Sequence, residues 1–416
     1  MEIIILIICL LISIYGFYIY RESKDIFNPV SMFIWPITTG YIIFLAIYYD
    51  DSIKNETLII YLIGILSFIA GFFIHRNIIK YPMSYSKSVC RKNLVINKNV
   101  FFVLKIIAII GIIATVLYVV RTAYLGPYGS NIIRNLRYMG NYENTRSGIS
   151  TYGIVVVKFI LYIITYQTFV LSIKQNKKWI PLLVIGVIFG FMATIARTEF
   201  IEVIVALYYL YSVKYKVFFK HLSIYQRLKQ MWKAIVVVVF VSFIFIYIAE
   251  KTEKIGSGNF FDTEFFFFRY AGLELKNFDS YILGKSFSTL GYYSFGIIGK
   301  ILNIFGLGPN NDLFIMIADR YNGPVCSFIA APYADFGIVG VIVTMVIQGI
   351  FHSYVYMKSI RNGGYWIILY TTCIYSDLMA FYSFQYLMSS QFYVIVLIII
   401  VHLHLKGTSI TYVKSK

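Results

Sequence analysis

Charge is scarce in this chain, and acid is scarcer than base. Asp, Glu, Lys and Arg make up 13% of its 416 residues, and 37 basic residues face 19 acidic ones, a formal charge of +18. A soluble domain carries about 25% charged residues, so this composition excludes an ordinary soluble protein. Apolar residues account for 59%, and the mean hydropathy is +0.74. No soluble core of this length uses so much apolar surface, and a polytopic membrane protein is expected. The basic excess would suggest nucleic acid in a soluble chain. In a helical membrane protein it belongs to cytoplasmic loops, so no nucleic-acid partner is expected.

Cysteine is also rare, at four residues. Cys9 and Cys373 fall inside apolar runs, Cys90 in a basic loop and Cys326 near a span boundary. That spacing matches neither a disulfide framework nor a metal site, and no cofactor or metal is expected. The first apolar run has no basic residues before it and no small-residue cleavage site, so it reads as a retained helix.

What the chain has in abundance is long apolar runs. A span needs about 20 apolar residues. Runs at 2–20, 29–49, 57–75, 100–120, 151–173, 179–196, 199–213, 234–249, 334–357, 365–385 and 390–405 qualify. The fold class predicted is therefore all-α polytopic, with about eleven transmembrane helices in a single integral membrane domain over 1–416. Basic residues crowd the 76–98 loop, the turn KQNKK at 174–178, the 214–233 loop, the 358–364 turn and the tail. This threading puts all of them on one side. By the positive-inside rule that side is the cytoplasm, with the N-terminus outside and the C-terminus inside. The segment 286–308 is apolar too, but counting it as a span would export KSIR at 358–361. It is assigned to the interface or to a re-entrant loop.

Two long loops remain outside, 121–150 and 250–333. The first holds Arg121, Arg134, Arg137 and Arg146 against one acid, Glu143, with Tyr124, Tyr128, Tyr138 and Tyr142 between them. Arginine presents a planar, permanently charged donor pair that suits phosphate or pyrophosphate, and tyrosine suits sugar rings. A plain basic loop resting on anionic headgroups would look similar. The second loop mixes charges, including Arg269, Glu274 and Asp279, with aromatic clusters.

The stretch MATIARTEFIE at 192–202 places Arg197, Glu199 and Glu202 between two apolar runs. From Trp179 to Val213 there are 35 residues, whereas two full crossings need about 40 before any turn. The tip of this hairpin is therefore expected just below the outer surface. Ionisable residues at that depth are functional candidates. Glu199 and Glu202 share a helix face. An Arg197–Glu202 ion pair holding the hairpin is the competing reading. His75, His221, His352, His402 and His404 all map to the cytoplasmic half, so an external general base would be a carboxylate or tyrosine. Two lysines fall within spans: Lys105, near the cytoplasmic end, is placed to snorkel, and Lys158, nearer the outside, is placed to join the site.

Two stretches and the layout resemble a known family. IARTEFIEVIVALYYLYS at 195–212 is similar to a small-Arg-polar turn opening an apolar helix. NGPVCSFIAAPYADFGIVGVIVTMVIQGIF at 322–351 is similar to a late Tyr-x-x-Phe-Gly-x-x-Gly helix, here Tyr333, Phe336, Gly337, Gly340 and a further Gly349. With one Arg-rich and one long external loop, the chain resembles the Wzy-type oligosaccharide repeat-unit polymerases, the O-antigen and capsular polysaccharide polymerases. Arg137 and Gly148 fit the family's Arg-x10-Gly pattern, but neither Arg269 nor Arg320 does.

The resemblance implies a GT-C-like glycosyltransferase of the bacterial cytoplasmic membrane, active on its outer face. Donor and acceptor would be undecaprenyl-pyrophosphate-linked oligosaccharides, and further partners would be membrane lipids and a chain-length regulator. The growing glycan would pass from its lipid pyrophosphate to the next lipid-linked unit. The departing pyrophosphate needs preorganised cations. Arg197 is the first candidate, followed by Arg121 and Arg269. Arg134, Arg137, Arg146, Tyr138 and Tyr333 join the substrate-binding group. The base candidates are Glu199, Glu202, Glu274 and Asp335, and Asp335 reads equally well as a helix-start residue. The alternatives are a lipid-linked oligosaccharide flippase or transporter, with ionisable groups reaching both faces, and an O-antigen ligase, which would need an outer histidine.

Overall fold

The computed structural model describes residues 2–23, 25, 27–47, 53–79, 98–141, 148–173, 176–194, 197–218, 273–284, 289, 291–307, 326–381 and 395–398. Regular structure among them is entirely helical. This is the expected outcome for so apolar a chain, because a helix satisfies its own backbone where water is absent. The helices are α1 (Glu2–Ser23), α2 (Pro29–Ile47), α3 (Asn55–Ile79), α4 (Lys98–Leu125), α5 (Ile132–Asn141), α6 (Gly148–Thr165), α7 (Ile180–Thr194), α8 (Arg197–Phe218), α9 (Gly296–Ile304), α10 (Ala330–Asn362) and α11 (Tyr365–Leu378). Five segments among the described residues are long and apolar enough to cross a membrane: Pro29–Ala46, Asn55–Ile78, Asn99–Leu125, Gly148–Val170 and Ala330–Asn362. The predicted spans 234–249 and most of 390–405 lie outside the described residues.

The loop expected at 121–150 is largely helical instead. α4 runs on to Leu125, α5 fills Ile132–Asn141 and α6 already begins at Gly148. In IIRNLRYMGN, Ile133 and Leu136 share one face and Arg134 and Arg137 another, so the segment is amphipathic at the helical period. Asn131 starts it, its side-chain oxygen accepting the Arg134 N–H at 3.2 Å. Such a helix is too short and polar to register as an apolar run. In 286–308, α9 has nine residues and spans only about 14 Å, so it does not cross a bilayer.

The chain forms two compact units. Residues 1–84, 253–360 and 373–389 make the first, and 85–252, 361–372 and 390–416 make the second. In the first unit α3 and α10 run parallel at close range. A Cβ on Gly71 would lie 2.2 Å from the Val346 carbonyl oxygen, and one on Gly349 would lie 2.1 Å from that of Phe68. Only glycine permits backbones to meet this way. α10 is broken at Gly337, where φ is 63° and ψ is −153°, a conformation open to glycine. In the second unit α4 and α6 run antiparallel, with Gly111 facing Gly153 and the Thr115 and Ser150 hydroxyls 2.9 Å apart. Exposed isoleucine, leucine, valine and phenylalanine side chains cover the outward faces of α1 and α4, as lipid-facing surfaces require.

Candidate functional site

Among the described residues of the second unit, positions 121, 134, 137 and 197 lie toward one end. α5 lies over the ends of α4 and α7, with Leu136 buried against Val119 and Ala193. Asn135 locks it there. Its side-chain NH2 donates to the Ala123 carbonyl at 3.1 Å and the Gly129 carbonyl at 2.9 Å. Its side-chain oxygen accepts the Tyr128 N–H at 2.7 Å. The Arg134 guanidinium sits 4.1 Å above the Tyr128 ring, whose edge contacts Tyr138 at 5.3 Å between ring centres. Arg134, Arg137 and Tyr138 are all half-buried on this one helix. Their spacing puts them on a common face.

Arg121 is exposed on α4, four residues before the helix ends at Leu125. α8 opens at Arg197, four residues past Ala193, with Glu199 in its first turn. The free N–H groups of a helix start add positive potential there. The arginine-bearing face of α5 and the start of α8 thus belong to the same end of the unit. Arg146 and Arg269 lie outside the described residues.

Glu202, a predicted catalytic carboxylate, is instead held in a buried ion pair. Its Oε2 accepts from Lys158 Nζ of α6 at 2.7 Å, with side-chain exposures of 7% and 3%. Its described partner is Lys158, which ties α6 to α8, and the Arg197 side chain lies outside the described residues. Lys105, on α4, is tied to the segment ahead of α7. Its Nζ reaches the Asn176 side-chain oxygen at 2.9 Å and lies over the Phe101 and Trp179 rings.

The motif residues of α10 are also committed to packing. The Asp335 carboxylate accepts the Thr289 hydroxyl, the Tyr293 N–H at 3.2 Å and the Ser294 N–H at 2.7 Å. It organises the 289–295 turn, and its bonds go there rather than to the start of its own helix. Tyr333 packs edge-on against Phe278, and its hydroxyl accepts the Gly284 N–H at 3.3 Å. Both side chains are buried. Both side chains shape the segment around them.

Glu274 stands apart among the carboxylates. It is 1% exposed, and its Oε1 accepts the Tyr61 hydroxyl at 3.3 Å. Its Oε2 is buried without a hydrogen-bond partner. Burial pushes its carboxyl well above the ordinary value, against a smaller opposing effect of the Tyr61 hydrogen bond. It sits just ahead of a π-helical turn, Phe278–Ile282, a distortion common at functional sites.

Sequence reasoning missed a second buried group. His352 Nδ1 lies 2.8 Å from Asp377 Oδ1, an ion-pair distance without hydrogen-bond alignment. One residue on, the Ser353 hydroxyl meets His75 Nδ1 at 2.9 Å, and the Tyr356 hydroxyl donates to Asp25 at 3.2 Å. Asp377 is a lone acid in the apolar run 365–385, and that alone was a usable signal. Among the described residues, no three or more His, Cys, Asp or Glu cluster as metal ligands would.

Comparison with known protein families, characterised proteins and solved structures finds no match.

Proposed function

We propose that this chain polymerises lipid-pyrophosphate-linked oligosaccharide repeat units at the outer face of the bacterial cytoplasmic membrane, as a Wzy-type glycosyltransferase. One observation carries the reading. The amphipathic helix bearing Arg134, Arg137 and Tyr138 is pinned across the ends of α4 and α7, at the same end where α8 opens with Arg197. Fixed cations beside a helix start suit a departing pyrophosphate, and an adjacent Tyr-rich face suits the glycan. With Glu202 paired to Lys158, the base candidate remaining in the second unit is Glu199.

The test is polysaccharide length on a gel. A strain carrying Arg197→Ala should retain single lipid-linked repeats and lose long polymer. Full-length polysaccharide from Arg197→Ala or Arg197→Lys cells would remove the pyrophosphate role.

A second reading, transport of a lipid-linked oligosaccharide, draws on a different observation. Buried ionisable groups occur toward both ends of α3 in the first unit. Repeat units stranded in the inner leaflet of a deletion strain would favour it over polymerisation.

A further inference from the structure

The first unit contains a line of buried protonatable groups that the polymerase reading does not use. It begins where α3 begins, with the Thr57 hydroxyl donating to Asp279 at 2.5 Å. One turn further along α3, the Tyr61 hydroxyl meets Glu274. The line resumes at His352–Asp377 and continues to His75–Ser353, with Tyr356–Asp25 beside it. From Thr57 to His75 the helix advances about 27 Å, close to the 30 Å or so of a bilayer's hydrocarbon core.

Between the two groups lies an aromatic layer. Phe68 stacks on Phe33 at 4.0 Å between ring centres, and Phe33 meets the edge of Phe328 at 5.2 Å. Phe328 lies 5.4 Å from Tyr61, and Phe68 lies 6.0 Å from His352. The rings thus touch the last protonatable group on each side.

Helix clamps alone do not explain this chemistry. Serine, threonine and asparagine join membrane helices without the desolvation penalty of a carboxylate or an imidazole. Two atoms in the line are also buried without a hydrogen-bond partner, Glu274 Oε2 and His75 Nε2. Glu274 is 1% exposed and His75 is 8% exposed. One lies on each side of the aromatic layer, where a proton would be received or released.

We propose that the first unit carries protons across the membrane along this line, with the Phe33–Phe68–Phe328 layer as its gate. A proton taken up at His75 passes to His352–Asp377, crosses when Phe68 swings aside, reaches Tyr61–Glu274 and leaves by Asp279. Each group returns the proton it accepts, so one proton leaves one side and one arrives at the other, with no redox change. The charged and titratable groups facing the path are Cys9 on α1, Asp25 in the turn between α1 and α2, Tyr41 on α2, Tyr61 and His75 on α3, Glu274, Asp279, Cys326, His352, Tyr356 and Lys358 on α10, and Asp377 on α11. Lys358 lies over the Tyr354 ring, which itself packs on His75. The proposal goes beyond the polymerase reading and does not depend on it.

The test uses the full chain in phosphatidylethanolamine–phosphatidylglycerol vesicles with a trapped pH-sensitive dye. A potassium diffusion potential set by valinomycin supplies the driving force. Vesicles with the wild-type chain should change internal pH faster than protein-free vesicles. Asp377→Asn and Glu274→Gln should lose the added flux, and Phe68→Ala should increase it. Wild-type flux equal to that of protein-free vesicles overturns the proposal, as does undiminished flux in Glu274→Gln, which keeps the shape of the side chain if Asp377→Asn fails to fold. Polysaccharide length is read separately, so normal polymer without flux rejects the proton path alone.

Discussion

The Lys158–Glu202 pair offers the sharpest way to separate chemistry from scaffolding in the second unit. Its charges are 2.7 Å apart at side-chain exposures of 3% and 7%, so solvent screens them little. Removing one partner of such a pair strands the other charge in a low-dielectric core and costs about 3–5 kcal/mol. Replacing both by apolar residues of similar volume is neutral or stabilising by about 1–4 kcal/mol. Lys158→Met alone and Glu202→Leu alone should therefore each destabilise strongly, and the double variant should recover to within about 1 kcal/mol of wild type. Denaturant unfolding of the purified protein in detergent measures all four corners of the cycle. The same strains are scored for polymer length. If Glu202 is scaffolding, the double variant makes long polysaccharide. Additive destabilisation would refute the buried pair, and a folded double variant without polymer would restore Glu202 as a chemical residue.

Two further outcomes follow from the packing. Glu274 is held above its ordinary value by burial, so the folded state keeps its proton where the unfolded chain has already lost it. Its contribution is fully present below the ordinary carboxylate value and falls by about 1.4 kcal/mol per pH unit as pH rises toward the folded-state value. Glu274→Gln should therefore raise the thermal midpoint by an amount that grows between acid and neutral pH, and parallel curves for the two proteins would contradict the buried, neutral state. A Cβ on Gly111 would lie 2.5 Å from the Gly153 Cα. Gly111→Val should push α4 from α6 and cost about 1–3 kcal/mol by overpacking, and an unchanged unfolding midpoint would show that the helices do not meet there.

Much of the helical framework was legible because membrane spans announce themselves by length and hydropathy alone. α2, α3 and α4 begin and end within about five residues of the runs read from the sequence, and the apolar segment Gly148–Val170 lies within about three of the run at 151–173. α5 was not legible, because a ten-residue amphipathic helix between spans carries the polarity of a loop. The arginines on it stand out as a group in the sequence, yet their ordering depends on Asn135, whose three bonds reach the end of α4 and the turn after it. The fates of Glu202 and Asp335 were hidden for a different reason. Lys158 lies 44 positions from Glu202, and Ser294 lies 41 from Asp335. Which distant group a buried charge meets is decided by how helices cross, and a single sequence does not encode that in any local pattern. His352 reads from the sequence only as one of the cytoplasmic-half histidines, while its partner Asp377 is 25 positions away in the next apolar run, where an acid asks for a partner.

The shortness of α7 reaches beyond the protein itself. With 15 residues it is about 22 Å long, against a hydrocarbon thickness of about 30 Å. A span this short would require the surrounding lipids to thin, at a fraction of a kcal/mol for each ångström of mismatch. Reconstitution in short or disordered acyl chains should then relieve the strain that stiffer, longer lipids would place on the end that opens α8. Membrane thickness would in that case be an input to this protein, set by the length of the fatty acids around it.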